Sequence, residues 1–230
     1  MVTDIFQPDD LVFEIGACTG GMVAVLLELG AGKVIAVEPD RVNVATLYYY
    51  FGDHERVAIV HAGAGEQVGT GTLASNIGAV SCSTFVPEAT WGPDELYAGM
   101  QATEYQVVPM TTLDALIAEH GIPAFCHVTA NRYELWVLRG LSQPLPYLAF
   151  EVTHCSIRQG WASQCIDRCV EVMPNARFNY TDRDVWRKNE RGELYQNPLR
   201  WPEWVGADEV RGILAEIDEV GLWGRIHVRG

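Results

Sequence analysis

Apolar residues along this chain alternate between two rhythms. Short runs such as Leu11-Val12-Phe13-Glu14-Ile15 and Lys33 to Val37 end at glycine or proline turns and predict strands. Between them, Gly21 to Leu29 sets Met22, Val25, Leu26 and Leu29 at helical spacing and stops at Gly30. A second helix is predicted over Arg41 to Tyr50 and a third strand over Val57 to His61. The middle is less regular. Gly63 to Gly78 reads as turns around a short strand near Thr70 to Leu73, and Val80 to Met100 as a surface excursion near a ligand. Tyr105 to Pro109 resembles a short extra strand, and Thr111-Thr112-Leu113-Asp114 opens a helix running to about His120.

Ala124 to Val128 then predicts a strand, Tyr133 to Gly140 a helix and Tyr147 to Val152 a strand. Gln159 to Met173 reads as one helix, Arg177 to Tyr180 as a strand, and Trp223 to Val228 as a strand closing the sheet. The polar stretch Asp182 to Val205 holds Trp186, Trp201, Pro202 and Trp204. It is either a lid over a substrate or an inserted loop with its own aromatic cluster. Regular alternation of strand and helix predicts an α/β domain with a mostly parallel sheet.

Composition narrows this picture. A chain of 230 residues, 48% hydrophobic, suits one domain with a sizeable core. No apolar run approaches the roughly 18–20 residues of a membrane span. The opening residues are acidic and lack an apolar stretch, so a cytoplasmic protein without a secretory leader is expected. A net charge of −14 argues against nucleic-acid binding and favours a small, neutral or cationic partner. Cys165 and Cys169 share a helical face downstream of His154-Cys155, but paired zinc ligands are usually closer; buried reduced thiols and no metal are expected.

The candidate chemistry begins after the first strand. Glu14-Ile15-Gly16-Ala17-Cys18-Thr19-Gly20-Gly21 is a strand running through small residues into a helix, leaving backbone N–H groups free where a ligand can approach closely. Its glycine spacing is not that of dinucleotide-binding dehydrogenases. Glu38 ends the second strand, where a carboxylate can accept hydrogen bonds from both hydroxyls of a ribose. Glu14 is an unusual residue for a buried strand; it either holds the glycine loop or meets the cationic amino-acid end of the ligand.

These stretches resemble the FkbM-type S-adenosylmethionine-dependent methyltransferases. The resemblance continues through Val34-Ile35-Ala36-Val37-Glu38-Pro39-Asp40, His61-Ala62-Gly63-Ala64-Gly65-Glu66, Ser83-Thr84, Thr111-Thr112-Leu113-Asp114 and Ala149-Phe150-Glu151, covering about residues 11 to 180 in order. It implies a Rossmann-like class I methyltransferase fold, a seven-stranded sheet with helices on both faces, and methyl transfer to a hydroxyl of a small molecule or glycan. It further implies that Glu14, Gly16, Ala17, Cys18, Thr19, Gly20, Glu38, Pro39 and Thr84 hold S-adenosylmethionine, with Ala64, Gly65 and Glu66 near its adenine.

One segment departs from the family. Where it usually reads Lys-Ile-Asp-Val-Glu-Gly-Tyr-Glu, this chain reads His127-Val128-Thr129-Ala130-Asn131-Arg132-Tyr133-Glu134. Three readings stay open: a different substrate, with Arg132 favouring an anionic group and His127 or His154 acting as base; a weakened relative that still binds the cofactor; or transfer driven by proximity alone. His154, after the fifth strand, is a candidate base with Thr129 and Asn131 as organising groups, whereas His127, inside a strand, favours a structural role. With about ten residues before the first strand, a helical cap over the cofactor is either missing or supplied by a partner, such as a second copy.

Overall fold

The computed structural model describes residues 5–76, 82–86, 102–184, 186–220 and 223–230. Strand and helix alternate through β1 (Leu11–Ile15), α1 (Gly21–Glu28), β2 (Lys33–Glu38), α2 (Arg41–Phe51) and β3 (Val57–His61). There follow β4 (Gly63–Ala64), β5 (Gly69–Ser75), β6 (Glu104–Thr111), α3 (Leu113–His120), β7 (Phe125–Val128), α4 (Glu134–Arg139) and β8 (Tyr147–Val152). The last part holds α5 (His154–Arg158), α6 (Trp161–Val172), β9 (Arg177–Asp182), β10 (Trp186–Lys188), β11 (Leu194–Gln196), α7 (Ala207–Val220) and β12 (Gly224–Arg229).

The central sheet has seven strands in the order β3-β2-β1-β7-β8-β12-β9. The first five are parallel, and β12 inserts antiparallel between β8 and β9. This is the expected Rossmann-like class I methyltransferase fold. The order reverses between β1 and β7, so the loops after these strands part and leave a crevice at their carboxyl ends.

Several local expectations change. The extra strands near 70 and 105 do not extend the central sheet: β5 and β6 pair with each other and with β4 in a separate sheet. The helix expected over 159–173 is α6, which starts at Trp161 with Gly160 as its N-cap at φ 72, and the short helix α5 before it was not anticipated. Helix α7 was not anticipated, although Val210, Ile213, Leu214 and Ile217 mark a buried helical stripe. The hairpin β10–β11 was missed too, within the segment around Trp186. Apart from 82–86, the excursion expected over 80–100 lies outside the described residues.

The pleat divides the sheet into two chemically different faces. Phe13, Ile35, Val128, Phe150, Phe178 and Ile226 point to one side and join α3, α4, α6 and α7 in a continuous apolar core. The other side is covered by α1, the residues Ile5 and Phe6, and Trp186. There the strands alternate apolar residues with Glu14, His127, Glu151, Arg225 and His227, all buried.

Candidate functional site

The glycine turn is shaped by contact with β7. Gly16 has φ +82, and a Cβ there would stand 1.8 Å from the carbonyl oxygen of Thr129, so only glycine fits. Its N–H and that of Ala17 both donate to the Val37 carbonyl, while Thr129 N–H donates to Ile15. The turn is thereby tied to both neighbouring strands. Gly20, at φ +91, caps α1 where a Cβ would meet the ring of Phe51 on α2.

Glu38 sits at the end of β2, only 4% exposed. Its carboxylate accepts from the N–H groups of Cys18 and Asp40, each at 2.8 Å, and from Asn43 Nδ2 at 3.3 Å. Burial pushes its pKa up to about 7, against the pull of these hydrogen bonds. Asp40 caps α2 and also accepts from Ser83 Oγ at 2.7 Å. Burial raises the Asp40 pKa, but the bonds from Ser83 and Val42 outweigh it, and the net shift is downward.

Ser83 and Thr84 then reach the opposite side of the crevice. Asn131 Nδ2 donates to the Ser83 carbonyl at 2.9 Å, and Thr84 Oγ1 donates to the Asn131 carbonyl at 2.8 Å. Residues 82–86 thus stitch the end of β2 to the end of β7. Asn131 and Arg132 adopt φ 48 and 75, so Arg132 keeps the left-handed backbone where the resembling family has glycine. Its side chain is buried, with one nitrogen 3.9 Å from Cys155 Sγ.

Two adjoining cavities of about 170 and 420 Å³ result. The first is lined by Glu38, Pro39, Asn43, Ala64, Thr84 and Asn131, with Ile15, Val37, Leu73, Phe85 and Tyr133 as apolar walls. The second is lined by Glu14, Ala17, Thr19, His127, Asp184, Trp186 and Arg225. Gly16, Cys18 and Thr129 line both.

The sequence-predicted residues therefore divide. Glu38, Pro39, Ala64, Thr84 and Asn131 meet in the first cavity, Glu14, Ala17 and Thr19 in the second. Gly65 packs against Met110 and Tyr133, and Glu66 lies at the surface 3.7 Å from Arg139; neither lines these cavities. His154 begins α5, also outside both linings. Sequence reasoning overlooked Asn43, Phe85 and Asp184, which no motif marks. It also placed His127 as structural, yet that ring lines the second cavity.

Glu14 and His127 are paired across β1 and β7, with Nδ1 at 2.9 Å from the carboxylate and both side chains 2% exposed. Burial raises the Glu14 pKa, and the neighbouring His127 pulls it back. Further along the same face, Arg225 lies 2.8 Å from Glu151 and 2.7 Å from Asp184. His227 bonds Tyr147 and Thr181, each at 3.0 Å; burial drives its pKa down to about 3, so it is neutral. Cys165 and Cys169 are buried in the apolar core, and among the described residues no group of three or more His, Cys, Asp or Glu is placed to hold a metal. Among them, too, no helix is long and apolar enough to cross a membrane.

No family model matches the sequence, and no curated protein matches it. Among solved structures, the chain is similar to the methyltransferase FkbM from Methylobacillus flagellatus KT, with a TM-score of 0.51 and 19% identity. That match covers 75% of this chain and 40% of the other, so the chain spans well under half the length of that relative. A precorrin-6y C5,15-methyltransferase from Geobacter metallireducens GS-15 aligns at 11% identity with a TM-score of 0.44, covering 98% of this chain and 82% of that one. The likeness to the FkbM methyltransferase, at 19% identity, bears on the fold alone: this chain has the Rossmann-like architecture of class I methyltransferases.

Proposed function

We propose that this protein is an S-adenosylmethionine-dependent methyltransferase acting on a hydroxyl of a small molecule or glycan. The observation that carries this reading is the buried carboxylate of Glu38 facing an apolar-walled cavity at the point where the strand order reverses. The residues present fit the cofactor. Glu38 suits a ribose diol, Leu73 and Phe85 suit the faces of a purine, and Thr84 and Asn131 bring polar groups beside it.

When bound, the cofactor supplies an activated methyl group on a sulfonium. The chain's own part is to hold both partners in line, exclude water and take up a proton. Gly16, Cys18 and Thr129, common to both cavities, form the wall along which an acceptor entering from the second cavity would meet a ligand held in the first.

Isothermal calorimetry with S-adenosylmethionine and S-adenosylhomocysteine tests the reading. Wild-type protein is expected to bind both, and Glu38→Ala to weaken binding by at least about 10-fold through the lost charged hydrogen bonds. Absence of binding by a folded wild-type chain would overturn it. Transfer of a labelled methyl group to a panel of hydroxylated metabolites then separates O-methylation from other acceptors.

A further inference from the structure

The second cavity contains more polar chemistry than its packing explains. Among the described residues, His127 Nε2, Thr129 Oγ1, Trp186 Nε1 and the Nε and Nη1 of Arg225 are buried without a hydrogen-bond partner, although Arg225 is ion-paired with Glu151. All of them belong to residues that line this cavity. Buried polar groups left unpaired each cost about 1–3 kcal/mol, so such a set around one space calls for a ligand that pairs them. Trp186 Nε1 can only donate, and a threonine hydroxyl can do either. In the tautomer that donates Nδ1–H to the Glu14 carboxylate, His127 carries its lone pair on Nε2, which then accepts. A ligand matching this set must both donate and accept, as hydroxyl groups do.

Among the described residues, each charged side chain of the cavity lining is paired within the protein. Arg225 is paired with Glu151 and Asp184, Lys188 with Glu28 at 2.7 Å, and Glu14 with His127. A charged ligand would have to break one of these pairs. Trp186 adds an indole set edge-on to Phe6 and Phe125, with ring centroids 5.8 and 5.6 Å away, which fixes the direction of its N–H. The cavity volume of about 420 Å³ lies within the ~300–1,000 Å³ range of small-molecule sites.

We infer that the second cavity binds the methyl acceptor, a neutral polyol or sugar, and that His127 is the catalytic base, held by Glu14. This rests on the methyltransferase reading above. An acceptor hydroxyl donates to His127 Nε2 while its oxygen attacks the methyl carbon of the sulfonium. The new C–O bond forms as the C–S bond breaks, and the sulfur leaves with that electron pair as a thioether. The hydroxyl proton passes to Nε2, giving an imidazolium whose Nδ1–H stays bonded to the Glu14 carboxylate. Glu14 touches no reacting atom; it is a positioning residue that sets the tautomer.

The experiment uses wild-type protein labelled with nitrogen-15 at its six histidines and saturated with S-adenosylhomocysteine, with His127→Gln serving only to assign the resonance. Myo-inositol and methyl α-glucoside are titrated in, with glucose 6-phosphate as the charged comparison. The expected result is a protonated Nδ1 and a bare Nε2 whose resonance moves on adding the neutral compounds and stays fixed with the phosphate. A proton on Nε2 instead of Nδ1 would overturn the base assignment. An Nε2 resonance unmoved by both neutral compounds, while calorimetry shows S-adenosylhomocysteine bound, would overturn the acceptor site and leave the cofactor reading intact. Failure of the homocysteine compound to bind would remove the underlying reading itself. With an acceptor found, His127→Gln is expected to lower kcat about 10²–10⁴-fold while leaving S-adenosylhomocysteine affinity unchanged. Glu14→Gln, which leaves a neutral partner on Nδ1, is expected to retain more activity than Glu14→Ala. Equal loss of cofactor affinity in His127→Gln would reduce His127 to a structural role.

Discussion

Along β7, Cys126 and Val128 turn into a core of aliphatic and aromatic side chains, whereas Phe125 and His127 turn the other way, toward Trp186 and Glu14. The same contrast repeats on β12, where Ile226 and Val228 face the first environment and Arg225 and His227 the second. Apolar burial on the first face is sufficient to hold α3, α4, α6 and α7 against the sheet. The second face buries ionic pairs and the neutral His227, an arrangement that hydrophobic side chains of similar volume could replace with equal or greater stability. Its composition is therefore explained by what it presents to the cavity at the crevice, while the first face is a foundation.

The comparison can be broken by substitutions that treat both faces alike. On the apolar face, Phe150→Ala is expected to cost about 3–5 kcal/mol in chemical denaturation, through lost burial and a cavity. On the polar face, Arg225→Met should cost a similar ~3–5 kcal/mol by leaving Glu151 without its cation. Adding Glu151→Leu should recover most of that loss, which no second substitution next to Phe150→Ala would do. A small cost for Arg225→Met alone would mean that the polar row is not electrostatically organised.

Titration sharpens the contrast further. The His227 pKa is depressed from 6.5 to about 3, so its contribution is complete above pH 6.5 and lost as the pH falls toward 3. Burial, followed by repulsion from Glu151, raises the Glu134 pKa from 4.5 to about 8. Its contribution is complete below pH 4.5 and lost as the pH rises toward 8. Thermal unfolding across pH 3–9 should show both limbs. His227→Gln should flatten the acid limb and Glu134→Gln the alkaline one, each by a few kcal/mol at about 1.4 kcal/mol per pK unit. The smallest effect is expected at the rim: Lys188→Ala removes a half-exposed pair with Glu28 and should change stability by about 0–1 kcal/mol, less at high salt.

Much of this was legible in the chain. The strand, glycine turn and helix from Leu11 to Glu28, with Glu38 closing β2, follow from local periodicity and from residue types that work only at such positions. Gly16 is dictated by a single close approach, and Thr129, at the other end of that approach, was already singled out. What escaped depended on distance along the chain. Glu14 and His127 are 113 residues apart, and nothing local to either reveals that β1 and β7 are neighbours in register. The bond between Ser83 and Asp40, and the pairing of Arg225 with Glu151 and Asp184, are equally non-local.

The sequence by itself determined most strands of the central sheet, the position of the glycine turn and the carboxylate at the end of β2, because residue types and local periodicity mark each of them. Only the tertiary structure decided which way each strand's polar residues face, since the pleat assigns sides only once the register between strands is fixed. That register brings Glu14, His127 and Trp186 to one cavity and leaves the opposite face apolar.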